Sequence, residues 1–227
     1  MSQKRRFYVD SAQIDDVSEV LRDGLVHGVT TNPTILERAR RSAANSPELY
    51  ARWVSEGAQE VFFQAWGENA QAMLRIAEGI RALGPKVVVK VPATRAGFAA
   101  AANLSRDGVT VLLTAVYSPA QALMAASLGV RYIAPYLGRM QDSGLDGIAE
   151  IAAMTAMVAG TDTDVLAASL RTPGAIVALA EVGVRYFTAA PSVVLAVMQH
   201  DVSDSSSKEF EAAVSRGAVR GSGSVKP

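Results

Sequence analysis

The sequence predicts an α/β protein, a single-domain (β/α)8 TIM barrel followed by a short C-terminal helix and a flexible tail. Three observations lead there. Eight short runs rich in β-branched and aromatic residues recur along the chain, their starts roughly 20 to 33 residues apart. Amphipathic stretches with helical spacing lie between them, several opened by a capping residue and proline and closed by glycine. The length of 227 residues is that of one such barrel. A doubly wound open sheet is the competing architecture, but it carries a Gly-rich phosphate loop after its first strand, where this chain has SAQIDD.

Taken in order, the first three strands are FYVD (7–10), GVTTN (28–32) and VFFQAW (61–66). NAQAMLRIAEGIRALG (69–84) has the apolar spacing of a helix with a closing glycine. VVVKV (87–91) is the fourth strand, and its near-continuous valines fit a parallel sheet covered by helices. TVLLTAV (110–116) and YIAPYL (132–137) follow, separated by the helical SPAQALMAASLG (118–129). VLAASL (165–170) and RYFTAA (185–190) complete the set, with TPGAIVALAEVG (172–183) between them. Ser118 before Pro119 and Thr172 before Pro173 are cap signals with proline in the first helical turn.

PSVVLAVMQH (191–200) reads as the eighth helix, so the catalytic barrel domain spans 1–202. DVSDSSS (201–207) reads as a polar break before a short helix, KEFEAAVSR (208–216). Residues Gly217 to Pro227 have the composition of a disordered tail. The 203–227 segment presents a narrow apolar face, Phe210, Ala213 and Val214, that needs a docking surface on its own barrel or on a neighbouring subunit.

Composition narrows the function classes. Lys plus Arg equals Asp plus Glu at 22 each, so no overall field attracts nucleic acid or an anionic membrane. The absence of cysteine excludes disulfides and thiolate metal sites and fits a cytoplasmic protein. Lys4, Arg5 and Arg6 are not followed by the apolar run of a signal peptide, so a soluble chain acting on small molecules is expected.

Strand alternation places Val87, Val89 and Val91 on one face of the fourth strand and Val88 with Lys90 on the other. A lysine pointing into an enclosed space tends to lose its proton, and the neutral amine is a nucleophile toward carbonyl carbon. Snorkelling to solvent or pairing with a carboxylate is the structural alternative. Active sites of (β/α)8 barrels lie at the carboxyl ends of the strands. The polar residues there are Asp10, Thr30, Thr31, Asn32, Gln64, Lys90, Thr114, Tyr136, Arg139, Ser169, Arg171 and Thr188.

Together they make a coherent Schiff-base site. Lys90 attacks a ketone, while Gln64, Thr114 and Tyr136 hold a water or move a proton. Asp10 and Asn32 bond substrate hydroxyls, and Arg139 and Arg171 with Ser169 grip a phosphate. Each residue also has a structural reading: Asn32 before Pro33 can cap the next helix, and the two arginines can simply be solvated. Metal-dependent chemistry would need a ligand cluster, yet His27 and His200 are the sole histidines and stand in no metal-binding spacing. A pyridoxal phosphate barrel with a strand lysine and a non-catalytic binding barrel are the other classes. No metal or cofactor is expected beyond the lysine itself.

The stretches FYVDSAQID, GVTTNPTIL, VVVKVPAT, LLTAVYSPAQAL, YIAPYLGRM and LAASLRTP, in this order from Phe7 to about Pro191, resemble the small transaldolase and fructose 6-phosphate aldolase family. These are class I aldolases on (β/α)8 barrels. The resemblance implies that Lys90 forms the Schiff base, Asp10 is an acid/base residue, Thr30 and Asn32 bind the donor, and Ser169, Arg139 and Arg171 line a phosphate site. It also implies a homo-oligomer, pentamer or decamer, in which a C-terminal helix reaches a neighbour. Gln64, Leu112, Ala134 and Tyr136 match the aldolase branch, where transaldolases carry Glu, Asn, Ser and Phe. Gly138 instead looks like transaldolases, and Trp66 has no evident counterpart. The expectation is an aldolase of fructose 6-phosphate type, with transfer of a dihydroxyacetone unit between sugar phosphates as the alternative.

Overall fold

The strands pair in sequence order, all parallel, and the eighth closes on the first. The computed structural model describes residues 4–221, with side chains described as far as Arg216. The chain runs β1 (Arg6–Asp10), α1 (Ile14–Arg22), β2 (Gly28–Thr30), α2 (Pro33–Arg38), a 3-10 turn (Ala43–Asn45), α3 (Ser46–Ser55), β3 (Glu60–Gln64) and α4 (Ala70–Arg81). It continues with β4 (Val87–Pro92), α5 (Arg95–Arg106), β5 (Val111–Val116), α6 (Pro119–Ser127), β6 (Tyr132–Pro135), α7 (Leu137–Asp142) and α8 (Gly147–Val158). Then come β7 (Asp164–Leu170), α9 (Pro173–Glu181), β8 (Tyr186–Ala189), α10 (Pro191–Ala196) and α11 (Asp201–Gly221).

The predicted caps at Ser118 and Thr172 form, and Asn69 and Thr94 cap their helices in the same way. Asn69, Thr94, Ser118 and Thr172 each accept a backbone N–H three residues on, at 2.9, 3.1, 3.3 and 3.2 Å. Such a cap stabilises a helix by about 1 kcal/mol. Each stands directly after a strand-end loop, so the caps fix where the helices begin relative to the barrel mouth.

Alternation sorts the strand side chains as expected. Val88, Phe62, Leu112, Tyr132, Ala134, Leu166, Ala168, Tyr8 and Tyr186 fill the barrel, whereas Val87, Val89 and Val91 are buried on the opposite face of β4. At the amino-terminal end, Glu60 accepts hydrogen bonds from the hydroxyls of Tyr8 (2.5 Å) and Tyr132 (2.8 Å). Burial, reinforced by the Glu60 charge, pushes both phenols up, so they stay protonated donors to that carboxylate. This end is sealed by structural chemistry. Gly28 has a packing reason: a Cβ there would lie 2.0 Å from the Glu60 carbonyl oxygen, so only glycine lets β2 approach β3.

Three expectations are corrected. The 201–207 stretch is no break, because α11 begins at Asp201. Asp201 and Asp204 lie in its first turn, where acidic side chains oppose the positive end of the helix dipole, so a polar run that looks like a linker is a favourable helix start. The eighth helix is shorter than 191–200, ending at Ala196. Helix α11 continues through Gly217–Gly221, where disorder was expected, while residues 222–227 of the expected tail lie outside the described residues. The chain up to Val194 forms one compact unit, and that from Leu195 onward a second. Among the described residues no helix is long and apolar enough to cross a membrane.

Candidate active site

Lys90 is 4% exposed, on the barrel-facing side of β4, and it shares a register position with Gln64 on β3. Its Nζ donates to the carbonyl oxygen of Thr31 at 2.7 Å. That carbonyl is free for it because β2 ends at Thr30, while the Thr31 hydroxyl turns back to the Phe62 carbonyl at 2.8 Å. Burial lowers the Lys90 pKa below its ordinary value, with the Asp10 charge pulling the other way. Burial thus favours the neutral amine, which is aimed by a neutral acceptor.

Asp10 ends β1 beside Thr30 of β2. Thr30 Oγ1 donates to Asp10 Oδ1 at 2.6 Å and also lies 2.6 Å from Thr188 Oγ1 of β8. Burial raises the Asp10 pKa, opposed by Lys90, the Thr30 hydrogen bond and Arg38. A carboxyl raised by burial and an amine lowered by burial, each acting on the other, are an arrangement suited to acid/base work.

On the opposite wall, Thr114 Oγ1 and the Tyr136 hydroxyl are 2.7 Å apart. Tyr117 meets the Tyr136 ring edge to face, centroids 6.2 Å apart, and the Arg139 guanidinium stands 5.2 Å from the same ring centre. Burial pushes the Tyr136 phenol up, so it remains a proton donor. Two non-glycine residues at positive φ, Ala115 (58°) and Ser169 (57°), sit where the pairing registers of β5 and β7 shift. Bulges beside active sites re-aim side chains, and left-handed non-glycine backbone costs on the order of 1–3 kcal/mol.

The remaining candidates divide. Ser169 reaches the mouth next to α7. Arg171 is exposed, its Nη1 and Nη2 bonded to Asp142 Oδ1 and Oδ2 at 2.7 and 2.5 Å, which turns its Nε toward Gly138. Arg139 is exposed too. Asn32 does cap α2, its Oδ1 accepting from Ile35 N at 2.9 Å, so the structural reading of that residue is correct; among the described residues its amide nitrogen makes no hydrogen bond. Gln64 and Asn32 also border a groove of about 840 Å³ between α2, α3 and α4, with Trp66, 45% exposed, on its rim; Lys90 does not line it. Strand-end position alone singled out Thr31 and Thr188 without roles. Asp142 and Arg38 gave no signal, because neither lies on a strand.

Comparison with known proteins identifies the family. The family model described as Transaldolase/Fructose-6-phosphate aldolase matches residues 7–220. The chain belongs to this family. A probable transaldolase of Maridesulfovibrio salexigens is 35% identical over 208 residues, covering 91% of this chain and 96% of its own length. Those of Cereibacter sphaeroides and Symbiobacterium thermophilum are 34% and 33% identical, covering 91% and 90% of this chain and 94% of their own lengths. Among solved structures, a mandelate oxidase variant with an FMN adduct superposes with a TM-score of 0.63 at 17% identity. It covers 83% of this chain, which spans 65% of that structure, and the likeness is one of fold.

Gly138, in the first turn of α7, packs where a side chain would not fit. A Cβ there would lie 2.8 Å from the Ser169 carbonyl oxygen, 2.8 Å from Arg171 Nε and 2.9 Å from Ser169 Oγ. Since one of these atoms is backbone, the loop must shift to accept any side chain. Gly138→Asn is therefore expected to displace the Ser169–Arg171 segment and to lower the melting temperature. Thermal unfolding of the variant beside the wild type checks this.

Proposed function

We propose that the protein is a Schiff-base aldolase of fructose 6-phosphate aldolase type, cleaving and forming a ketose phosphate through a dihydroxyacetone imine on Lys90. The observation that carries this reading is the buried Lys90 amine held 2.7 Å from a neutral carbonyl and facing Asp10 inside a ring of hydroxyls. The neutral amine adds to the C2 carbonyl, and loss of water from the carbinolamine gives the iminium. Gln64, Thr114 and Tyr136 hold the water and move its protons. Asp10 takes the proton of the C4 hydroxyl, the C3–C4 bond breaks, and its electron pair flows to the iminium nitrogen as the enamine. The aldehyde phosphate leaves. Protonation at C3 and hydrolysis of the imine then free dihydroxyacetone and the lysine. The iminium is the electron sink, so the reaction so drawn needs no further cofactor.

Arg139, Arg171 and Ser169 are the donors for the substrate phosphate, while Thr30 and Asn32 orient the donor hydroxyls. The Tyr136 phenol, protonated at working pH and 2.7 Å from Thr114, supports protonation of the carbanion over its retention. Tyr136→Phe is expected to cut release of dihydroxyacetone by about 100-fold, the scale of one general acid, while transfer to an added aldose phosphate falls less. Parallel assays with and without acceptor measure that ratio.

Transaldolase activity is the second reading, favoured by Gly138 and by the names of the relatives. Incubation with fructose 6-phosphate alone separates the two. Free dihydroxyacetone supports the aldolase; turnover that requires an added aldose phosphate overturns it. For assembly we propose a homo-oligomer, supported by exposed Val202, Phe210 and Val214 at multiples of four residues along α11. Sedimentation of the full chain beside Phe210→Ser tests it. A cytoplasmic setting fits the absence of cysteine.

A further inference from the structure

We propose that Thr188 is a positioning residue for proton transfer: through Thr30 it reserves one oxygen of Asp10 and leaves the other to take the substrate proton. The inference rests on Asp10 acting as the acid/base group. Three side chains from three neighbouring strands form one chain, Thr188 Oγ1 on β8, Thr30 Oγ1 on β2 and Asp10 Oδ1 on β1, with both links at 2.6 Å. Both threonines are buried. Distance alone leaves the donor between the two hydroxyls open, but chemistry fixes it. An ionised carboxylate only accepts, so the single Thr30 proton points at Asp10 Oδ1, and Thr30 can then only accept from Thr188. The proton order is Thr188 to Thr30 to Asp10.

This order has a consequence for the reaction. While Thr188 donates to Thr30, Thr30 keeps donating to Oδ1, which makes that oxygen the less basic of the two; among the described residues no side chain donates to Oδ2. The C4 hydroxyl proton goes to Oδ2. Without the Thr188 hydroxyl, Thr30 is free to turn and accept from a protonated Oδ1, and the polarisation that strengthens its bond to the carboxylate is lost. The other charged or titratable groups acting on Asp10 are Lys90 of β4, Arg38 of α2 and Tyr136 at the end of β6. None of them bonds to Oδ1, and replacing Thr188 leaves all three in place.

The test is the pH dependence of kcat for fructose 6-phosphate cleavage. In the complex Lys90 is covalently engaged and does not titrate as a free amine, so the acid limb of kcat reports Asp10. Thr188→Val is expected to lower kcat about fivefold, the worth of one hydrogen bond, with KM little changed, and to move the acid limb to higher pH. Thr188→Ser is expected to restore both. Should the valine variant fail to fold, Thr188→Ala removes the same hydroxyl with less bulk and is read in the same way. A purely structural role predicts a lowered melting temperature with an unmoved limb, and that result, or a serine variant that fails to restore the profile, overturns the proposal. Asp10→Asn is run alongside. If the acid limb survives in it, the acid/base reading of Asp10 falls and takes the role of Thr188 with it. If the limb is lost there but unmoved in Thr188→Val, only the role of Thr188 falls.

Discussion

Lys90→Met is expected to lower kcat by about 10⁴-fold or more, because it removes the nucleophile on which every later step depends. Methionine is the informative replacement. It nearly matches the lysine stem in volume and suits a buried site, so the barrel should fold and lost activity can be assigned to the amine. A second readout comes from stability. Burial lowers the pKa of Lys90 in the folded state from its ordinary 10.5, so between the folded and unfolded values the unfolded chain binds the extra proton. Wild-type stability therefore gains from this group as pH rises through that window, and Lys90→Met should lack the gain. Urea titrations at a series of alkaline pH values measure the difference.

Asp10→Asn is expected to lower kcat by about 10³-fold, the middle of the range for a general acid/base group. The amide retains an oxygen to accept from Thr30 but cannot take up the C4 proton. Imine formation at Lys90 should survive, so the variant should still be trapped with dihydroxyacetone although it turns over poorly. The sign for stability is opposite to that of Lys90. The Asp10 pKa is raised in the folded state, so its contribution is fully present below the unfolded carboxylate value and is lost as pH rises through the folded one. Asp10→Asn should show no such decline.

Most of the barrel was legible because a parallel sheet covered by helices writes each strand as an apolar run. Lys90 was legible for the same reason, as one charge in a strand of valines. What holds it was not. Its partner is the backbone oxygen of Thr31, exposed by a strand that stops one residue earlier, and no side-chain pattern records that. Asn32 reads equally well as cap or ligand, and the structure uses its oxygen for the cap. The Thr30–Thr188 contact joins residues 158 apart and exists because β8 closes on β1, so it follows from topology, not local sequence. Asp142 escaped because its importance comes from holding Arg171. The start of α11 was misread because serine and aspartate serve both linkers and helix amino termini.

The central claim is that Lys90 forms a covalent imine with a ketose donor. Borohydride reduction of the full-length protein in the presence of fructose 6-phosphate or dihydroxyacetone, followed by peptide mass mapping, tests it directly. The expected result is a reduced three-carbon or hexose phosphate adduct on the peptide containing Lys90, absent from Lys90→Met. Active protein that gives no adduct, or an adduct confined to another lysine, would contradict it.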